Sequence, residues 1–181
     1  MPDIDMDAPG TTLLLMGNEA IARGALEAGI GFAASYPGTP SSEILPAIAE
    51  VAKRRGIYAE WSVNEMVAME SATSASLAGI RAIASMKQNG VNVILDFLAN
   101  LVMSGVGSGL VLVSCDDPGQ RNSSNDQDTR PVAKWLDIPM LEPGDFQEAK
   151  DMTKWLFDLS EELDTVCMLR CVSKISHTRG N

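Results

Sequence analysis

Residues 109–117 read GLVLVSCDD: a glycine, an unbroken apolar run from Leu110 to Val113, then polar residues ending in two aspartates. So short an apolar run, rich in valine and closed by a polar stretch, reads as a buried strand. Outward from it, strand-like and helix-like stretches alternate. Towards the N-terminus, 91–105 (VNVILDFLANLVMSG) reads as a buried helix, 87–90 (KQNG) as a loop and 81–86 (RAIASM) as a strand. Residues 62–79 (SVNEMVAMESATSASLAG) read as a helix of unusually small residues, and 57–61 (IYAEW) as a strand. The segment 39–56 (TPSSEILPAIAEVAKRRG) reads as a helix with Thr39 as N-cap and Pro40 at its first position, where a missing N–H costs nothing. Pro46 is expected to kink that helix, Lys53, Arg54 and Arg55 suit its C-terminal dipole, and Gly56 ends it. Before it come a strand at 30–37 (IGFAASYP), a helix at 17–29 (GNEAIARGALEAG) and a strand at 12–16 (TLLLM). After GLVLVSCDD, residues 116–130 are polar and aperiodic; a strand (138–143), a helix (145–163) and a strand (165–172) follow. This alternation predicts an α/β fold, a mostly parallel sheet with helices on both faces. Functional groups in such sheets gather at the strand C-terminal ends, where 36–42, 87–90 and 116–130 all fall.

The 181 residues suit a single domain over 11–181, with residues 1–10 as a flexible acidic tail. A formal charge of −10 argues against a nucleic-acid binder, which needs a basic face. The cysteines, Cys115, Cys167 and Cys171, form no C-x-x-C pair, and the sole histidine is His177 near the C-terminus. That spacing predicts no metal site on this chain, and reduced, structural thiols in a cytoplasmic setting. The N-terminus shows no signal-peptide pattern, and no apolar run is long enough for a membrane span.

Three segments carry candidate chemistry. The turn Tyr36-Pro37-Gly38-Thr39-Pro40-Ser41-Ser42 is either a rigid turn with a helix cap or a cradle offering free N–H groups and hydroxyls to a polar ligand. Glu65 either closes a capping box with Ser62 or is a poorly solvated carboxylate, with a raised pKa, able to share a proton with a ligand nitrogen. The 116–130 loop is either solvated surface or a functional loop, a length inside compact domains that favours function or disorder. The glycines of GVGSG (105–109) form no dinucleotide fingerprint, and no phosphate-binding P-loop occurs.

In order along the chain, GNEAIARGALEAG, YPGTPSSEI, NEMVAMESATSASLAG, KQNGVNV, LVLVSCDDPGQRNSSNDQDTRPVAKWLDIPMLEP and LRCVSKISHTRG resemble the N-terminal domain of the indolepyruvate ferredoxin oxidoreductase alpha subunits. These belong to the thiamine-diphosphate-dependent 2-oxoacid:ferredoxin oxidoreductases, and the resemblance covers about residues 11–180. It implies the pyrimidine-binding domain of a thiamine enzyme, with the cofactor lying across an interface to a separate diphosphate-binding domain. Glu65 matches the glutamate that hydrogen-bonds the aminopyrimidine and favours the imino tautomer that deprotonates the thiazolium carbon. Thr39 matches the threonine beside the reacting centre. On this resemblance Tyr36, Pro37, Gly38, Gln88 and Asn89 are expected against the cofactor, with Asp117, Ser124 and Asn125 on the substrate side. Mg²⁺ and iron–sulfur clusters are expected on partner domains or subunits: a diphosphate-binding subunit and a ferredoxin-like electron-transfer subunit. The implied substrates are an aryl 2-oxoacid and coenzyme A, in a homo- or hetero-oligomer. Pyruvate-using relatives grip the substrate carboxylate with an arginine; Arg121 and Arg130 lie in the polar loop without an alignment to it. A split-subunit non-oxidative decarboxylase and a non-catalytic scaffold are the alternatives.

Overall fold

The computed structural model describes residues 4–181. The chain runs β1 (Leu15–Met16), α1 (Gly17–Glu27), β2 (Phe32–Ser35), α2 (Ile44–Arg55), β3 (Tyr58–Trp61), α3 (Glu65–Leu77), β4 (Ala82–Lys87) and α4 (Gln88–Val93). It continues through α5 (Leu95–Ser104), β5 (Leu110–Asp116), α6 (Arg130–Trp135), β6 (Met140–Leu141), α7 (Phe146–Leu163), β7 (Cys167–Val172), α8 (Ser173–Ser176) and β8 (Arg179–Gly180). Six strands form one sheet in the order β3-β2-β4-β5-β7-β6, every neighbouring pair parallel. The GLVLVSCDD run is its central strand, buried at every position of β5.

Period-two alternation divides the core into two layers. Ile83 of β4, Val111, Val113 and Cys115 of β5, and Leu169 and Cys171 of β7 face α1, α2 and α7, where Ile21, Ile48, Leu156 and Phe157 are fully buried. Ala82, Ala84 and Met86 of β4, Leu110 and Leu112 of β5, and Met168 of β7 face α3 to α6, packing with Met69, Ile94, Leu98 and Ala133. The expected architecture of helices on both faces is the one observed.

Several local expectations are corrected. The 12–16 run contributes only β1, which pairs antiparallel with β8 in a separate two-stranded ribbon, Leu15 opposite Gly180. Helix α2 begins at Ile44, so Thr39 is not its N-cap; Thr39 and Pro40 form a cis-linked turn ahead of it. Pro46 then falls in the first turn of α2, where N–H groups have no helical acceptor, and demands no kink. Asn64 caps α3, its Oδ1 accepting the Val67 N–H at 2.9 Å, while the Ser62 hydroxyl turns to Glu60 at 3.2 Å. KQNG is not a loop: helix α4 starts at Gln88, and the apolar stretch behind it is divided at Ile94 into α4 and α5. Within the stretch expected as a loose tail, residues 1–3 lie outside the described residues. Beyond them Ile4 is buried, the Arg23 guanidinium donates to the carbonyls of Ile4 (2.8 Å) and Met6 (2.7 Å), and Asp5 pairs with Arg54 and Arg55.

Candidate active site

From β2 the chain steps to the edge strand β3, then returns to place β4 on the other side of β2. The sheet order reverses there, and at such a point sheets of this kind bind ligands beyond the C-terminal ends of the flanking strands, here β2 and β4. The segments that leave those ends, and the end of β3, carry most of the candidate residues.

The turn after β2 is closed by its own hydroxyls. Ser42 Oγ accepts the Gly38 N–H at 3.1 Å, and Ser41 Oγ donates to the Gly38 carbonyl at 2.7 Å. From behind, the fully buried Asn18 of α1 donates Nδ2 to the Pro40 carbonyl at 2.8 Å and to Glu43 at 2.6 Å. The two serines thus hold the turn, which leaves Thr39 half-exposed with its hydroxyl bonded to no other described residue. Tyr36 and Pro37 are exposed at the outer lip. A Cβ on Gly38 would lie 3.0 Å from Cγ and Cδ of Lys87, the last residue of β4, so turn and lysine stem pack directly on each other.

Because Asn64 takes the capping position, Glu65 stands at the first residue of α3 with its carboxylate unspent, a site where the helix dipole favours negative charge. Glu65 is half-buried, and no described residue forms a hydrogen bond or ion pair with it. It lies over Gly90 in the first turn of α4: a Cβ there would be 2.5 Å from Glu65 Cγ and 2.8 Å from Oε1. Only glycine admits the carboxylate to this position.

Beside it, three buried amide oxygens have no partner: Gln88 Oε1, Asn89 Oδ1 and Asn125 Oδ1. Leaving such an acceptor unsatisfied costs about 1–3 kcal/mol, so each of the three has capacity for a donor from outside the described residues. The amide nitrogens of Gln88 and Asn89 are loosely held, by the Asn125 carbonyl at 3.5 Å and by Ser124 Oγ at 3.4 Å, whereas Asn125 Nδ2 donates to Gln127 Oε1 at 3.0 Å.

The 116–130 loop docks on α4 through contacts at a nearly constant offset along the chain. Lys87 Nζ donates to the Asn122 carbonyl at 3.1 Å, the two loose amide contacts follow, and Asn92 and Gln127 exchange amide bonds of 2.8 and 2.7 Å. The loop's root is buried. Asp116 accepts from the Thr129 N–H (2.9 Å), Thr129 Oγ1 (2.9 Å) and Arg170 Nε (2.7 Å). Asp117 accepts from the Asn122 N–H (2.6 Å), Ser123 Oγ (2.9 Å) and Ser173 Oγ (2.7 Å). Burial alone would push the Asp117 carboxyl up, but the bonds from Ser173, Asn122 and Ser123, with the Lys87 charge nearby, hold it below its usual range. Asp117, expected on the substrate side, is therefore consumed in shaping the loop, whereas Ser124 and Asn125 line its α4 side. Sequence reasoning missed Gly90 and Lys87 because KQNG reads as a turn; the clue was that its glycine follows a strand end and precedes an apolar run.

An unspent carboxylate, a glycine that makes room for it and acceptors without partners nearby suit a ligand that presents hydrogen-bond donors. The aminopyrimidine of thiamine diphosphate has that chemistry, and the residues present fit it. Among the described residues no cluster of three histidine, cysteine or acidic side chains could hold a metal ion, and no helix is long and apolar enough to cross a membrane.

The family model described as pyruvate flavodoxin/ferredoxin oxidoreductase, thiamine diP-binding, matches residues 23–180. Indolepyruvate oxidoreductase subunit IorA of Pyrococcus abyssi is 52% identical over 175 residues, 97% of this chain and 27% of the relative. The IorA subunit of Archaeoglobus fulgidus is 47% identical over 98% of the chain and 29% of its own length. The chain thus spans less than a third of the length of these relatives. A solved 2-oxoglutarate:ferredoxin oxidoreductase from Magnetococcus marinus, with 2-oxoglutarate, coenzyme A and succinyl-CoA bound, superposes with a TM-score of 0.83 at 18% identity. That match covers 92% of this chain and 30% of the solved one, and shows the shared fold.

Proposed function

Because the chain belongs to the pyruvate flavodoxin/ferredoxin oxidoreductase, thiamine-diphosphate-binding family, we propose that it forms the pyrimidine-binding half-site of a 2-oxoacid oxidoreductase acting on aryl pyruvates such as indolepyruvate. The observation that carries this reading is the Glu65 carboxylate, uncapped and unpaired among the described residues, set over Gly90 beside orphaned amide oxygens.

Thiamine diphosphate, when bound, supplies the nucleophilic carbon and the electron sink that decarboxylation of a 2-oxoacid needs. Glu65 is the residue that would hold a proton at its Oε against the pyrimidine nitrogen. Half-burial of its carboxylate keeps bulk water from competing for that proton. Gln88 and Asn89 offer amide oxygens to the amino group, while Tyr36, Pro37 and Gly38 wall the outer side. Thr39, with its hydroxyl uncommitted, is directed to the reacting centre, and Ser124 and Asn125 face the substrate. Asp117 orders the loop that carries them.

The diphosphate site with its Mg²⁺, the iron–sulfur clusters and the ferredoxin-like acceptor belong in this reading to other domains or subunits, and coenzyme A takes the acyl group. Val63 (79% exposed), two residues before Glu65, with Tyr36 (38%) after β2 and Trp61 (45%) at the end of β3, supports completion of the site by another domain or chain. Three buried free thiols fit a reducing compartment such as the cytoplasm.

The test is an assay of the protein assembled with its diphosphate-binding partner, measuring coenzyme A-dependent ferredoxin reduction with indolepyruvate, phenylpyruvate, pyruvate and 2-oxoglutarate. Reduction with the aryl substrates supports the reading. Release of CO₂ and aldehyde without electron transfer would replace it with a decarboxylase. Inertness towards all four would leave only a scaffold.

A further inference from the structure

The geometry points to Lys87 as the residue that binds the substrate carboxylate and selects 2-oxoacids over uncharged carbonyl compounds; this rests on the half-site reading above. Any 2-oxoacid arrives as an anion. The chain it meets carries a formal charge of −10, and the carboxylate of Glu65 lies over Gly90, in the turn that opens α4. Long-range attraction is therefore absent, and a carboxylate settles beside Glu65 only where a local cation offsets it.

Lys87 is that cation. It ends β4 at the point where the sheet order reverses, one residue before Gln88 and three before the glycine beneath Glu65. Its stem lies against Gly38, next to the free Thr39 hydroxyl, at 3.0 Å from the position a Cβ would take. Its head makes one hydrogen bond, to the Asn122 carbonyl at 3.1 Å, and pairs with no carboxylate within ion-pair distance among the described residues. An ammonium has three donors, so this one retains donors for an incoming carboxylate. Asp117, the acid that feels its charge, is occupied by Ser173, Ser123 and the Asn122 N–H.

The other cations near this edge are committed or displaced. Arg130 is paired with Asp128 at 2.7 Å, and Arg170 is held by Asp116 and Glu142. Lys174 follows β7, two strands from β4, and Arg121 is exposed in the loop beyond Asp117. The contact between Lys87 and Asn122 also ties the cation to the loop bearing Ser124 and Asn125. Substrate carboxylate and loop position are thereby read by one ammonium group.

The experiment compares wild type, Lys87→Met, Lys87→Arg and Arg121→Ala in the assembled enzyme. KM and kcat are measured for phenylpyruvate and indolepyruvate. Inhibition constants are measured for indole-3-propionate and for indole-3-propionamide, which lacks the charge. Loss of a charge-assisted contact predicts a KM about ten- to hundred-fold higher in Lys87→Met, with a smaller change in kcat. The same variant should lose the preference for the acid over the amide, Lys87→Arg should recover much of it, and thiamine diphosphate affinity should not move. A wild-type enzyme that oxidises 2-oxoacids, with Lys87→Met keeping both KM and acid preference, overturns the assignment alone. So does an effect that appears in Arg121→Ala instead. A wild-type assembly that turns over no 2-oxoacid overturns the half-site reading, and the assignment with it.

Discussion

Replacing Gly90 with alanine should separate catalysis from stability. The added methyl would sit 2.5 Å from Glu65 Cγ and 3.0 Å from Cδ, whereas ordinary van der Waals contact begins at 3.4 Å. Glu65 must then retreat by about 1 Å, and misplacement of that size in a reacting group costs about 10²-fold in rate. The backbone gives no reason for collapse: Gly90 is in a helical turn, is not among the positive-φ glycines, and alanine is the better helix former by up to about 1 kcal/mol. Glu65 can swing towards solvent at the start of α3, so unfolding free energy should stay within about 1 kcal/mol and the melting temperature within about 4 °C. The assay is turnover of the assembled enzyme alongside thermal melts of wild type and Gly90→Ala. In a Glu65→Gln background the same change should add little further loss, since both act through one carboxylate. A Gly90→Ala enzyme with turnover within two-fold of wild type would refute the reasoning, because the carboxylate would then be displaced without consequence.

Arg170→Met should destabilise the fold by about 3–5 kcal/mol in urea denaturation, because Asp116 would be left buried without its ion-pair partner; a loss below about 1 kcal/mol would show that the Thr129 bonds suffice. The hydrogen bond from Arg81 depresses the Glu161 carboxyl from 4.5 to about 2. A depressed carboxyl contributes stability that is complete above its unfolded value and fades as pH falls through the folded one. The stability gap between wild type and Arg81→Gln should therefore close between about pH 5 and pH 2, and a gap constant over that window would contradict it. Gln127→Ala removes the reciprocal amide pair with Asn92 and should speed hydrogen exchange across the 116–130 loop without moving the main unfolding transition; unchanged loop exchange would show that the Asp116 and Asp117 root alone orders it.

The sheet was legible because its inner strands β4, β5 and β7 are buried on both sides. The run Leu110–Val113 is apolar at every step, Ala82–Met86 is interrupted only by the small Ser85, and the intervening helices alternate with them. Local boundaries were less legible because neighbouring residues compete for one role. Ser62 and Asn64 both suit an N-cap, and Asn64 prevails because the Ser62 N–H extends the β2 pairing to the Ser35 carbonyl and its hydroxyl turns to Glu60. Likewise Thr39-Pro40 has the composition of a helix start, yet Asn18, twenty-two residues earlier, holds the Pro40 carbonyl in a turn. The 116–130 loop could be recognised as unusual, but Asp117, Ser124 and Asn125 could not be told apart as buried root and open face. Glu65 and the turn holding Thr39 stood out in the sequence and their roles came from resemblance; that Glu65 requires Gly90 needed coordinates, since their proximity joins two different β–α connections.

Exchange of the thiamine diphosphate C2 proton with deuterium, followed by NMR in the assembled enzyme, tests the central claim most directly. It reports proton transfer at the cofactor without needing substrate, electron acceptor or coenzyme A. If Glu65 is the proton-sharing carboxylate of this half-site, Glu65→Gln should slow the exchange by about 10²–10⁴-fold while the cofactor remains bound. Exchange at the wild-type rate in a Glu65→Gln enzyme that still binds the cofactor would contradict the account.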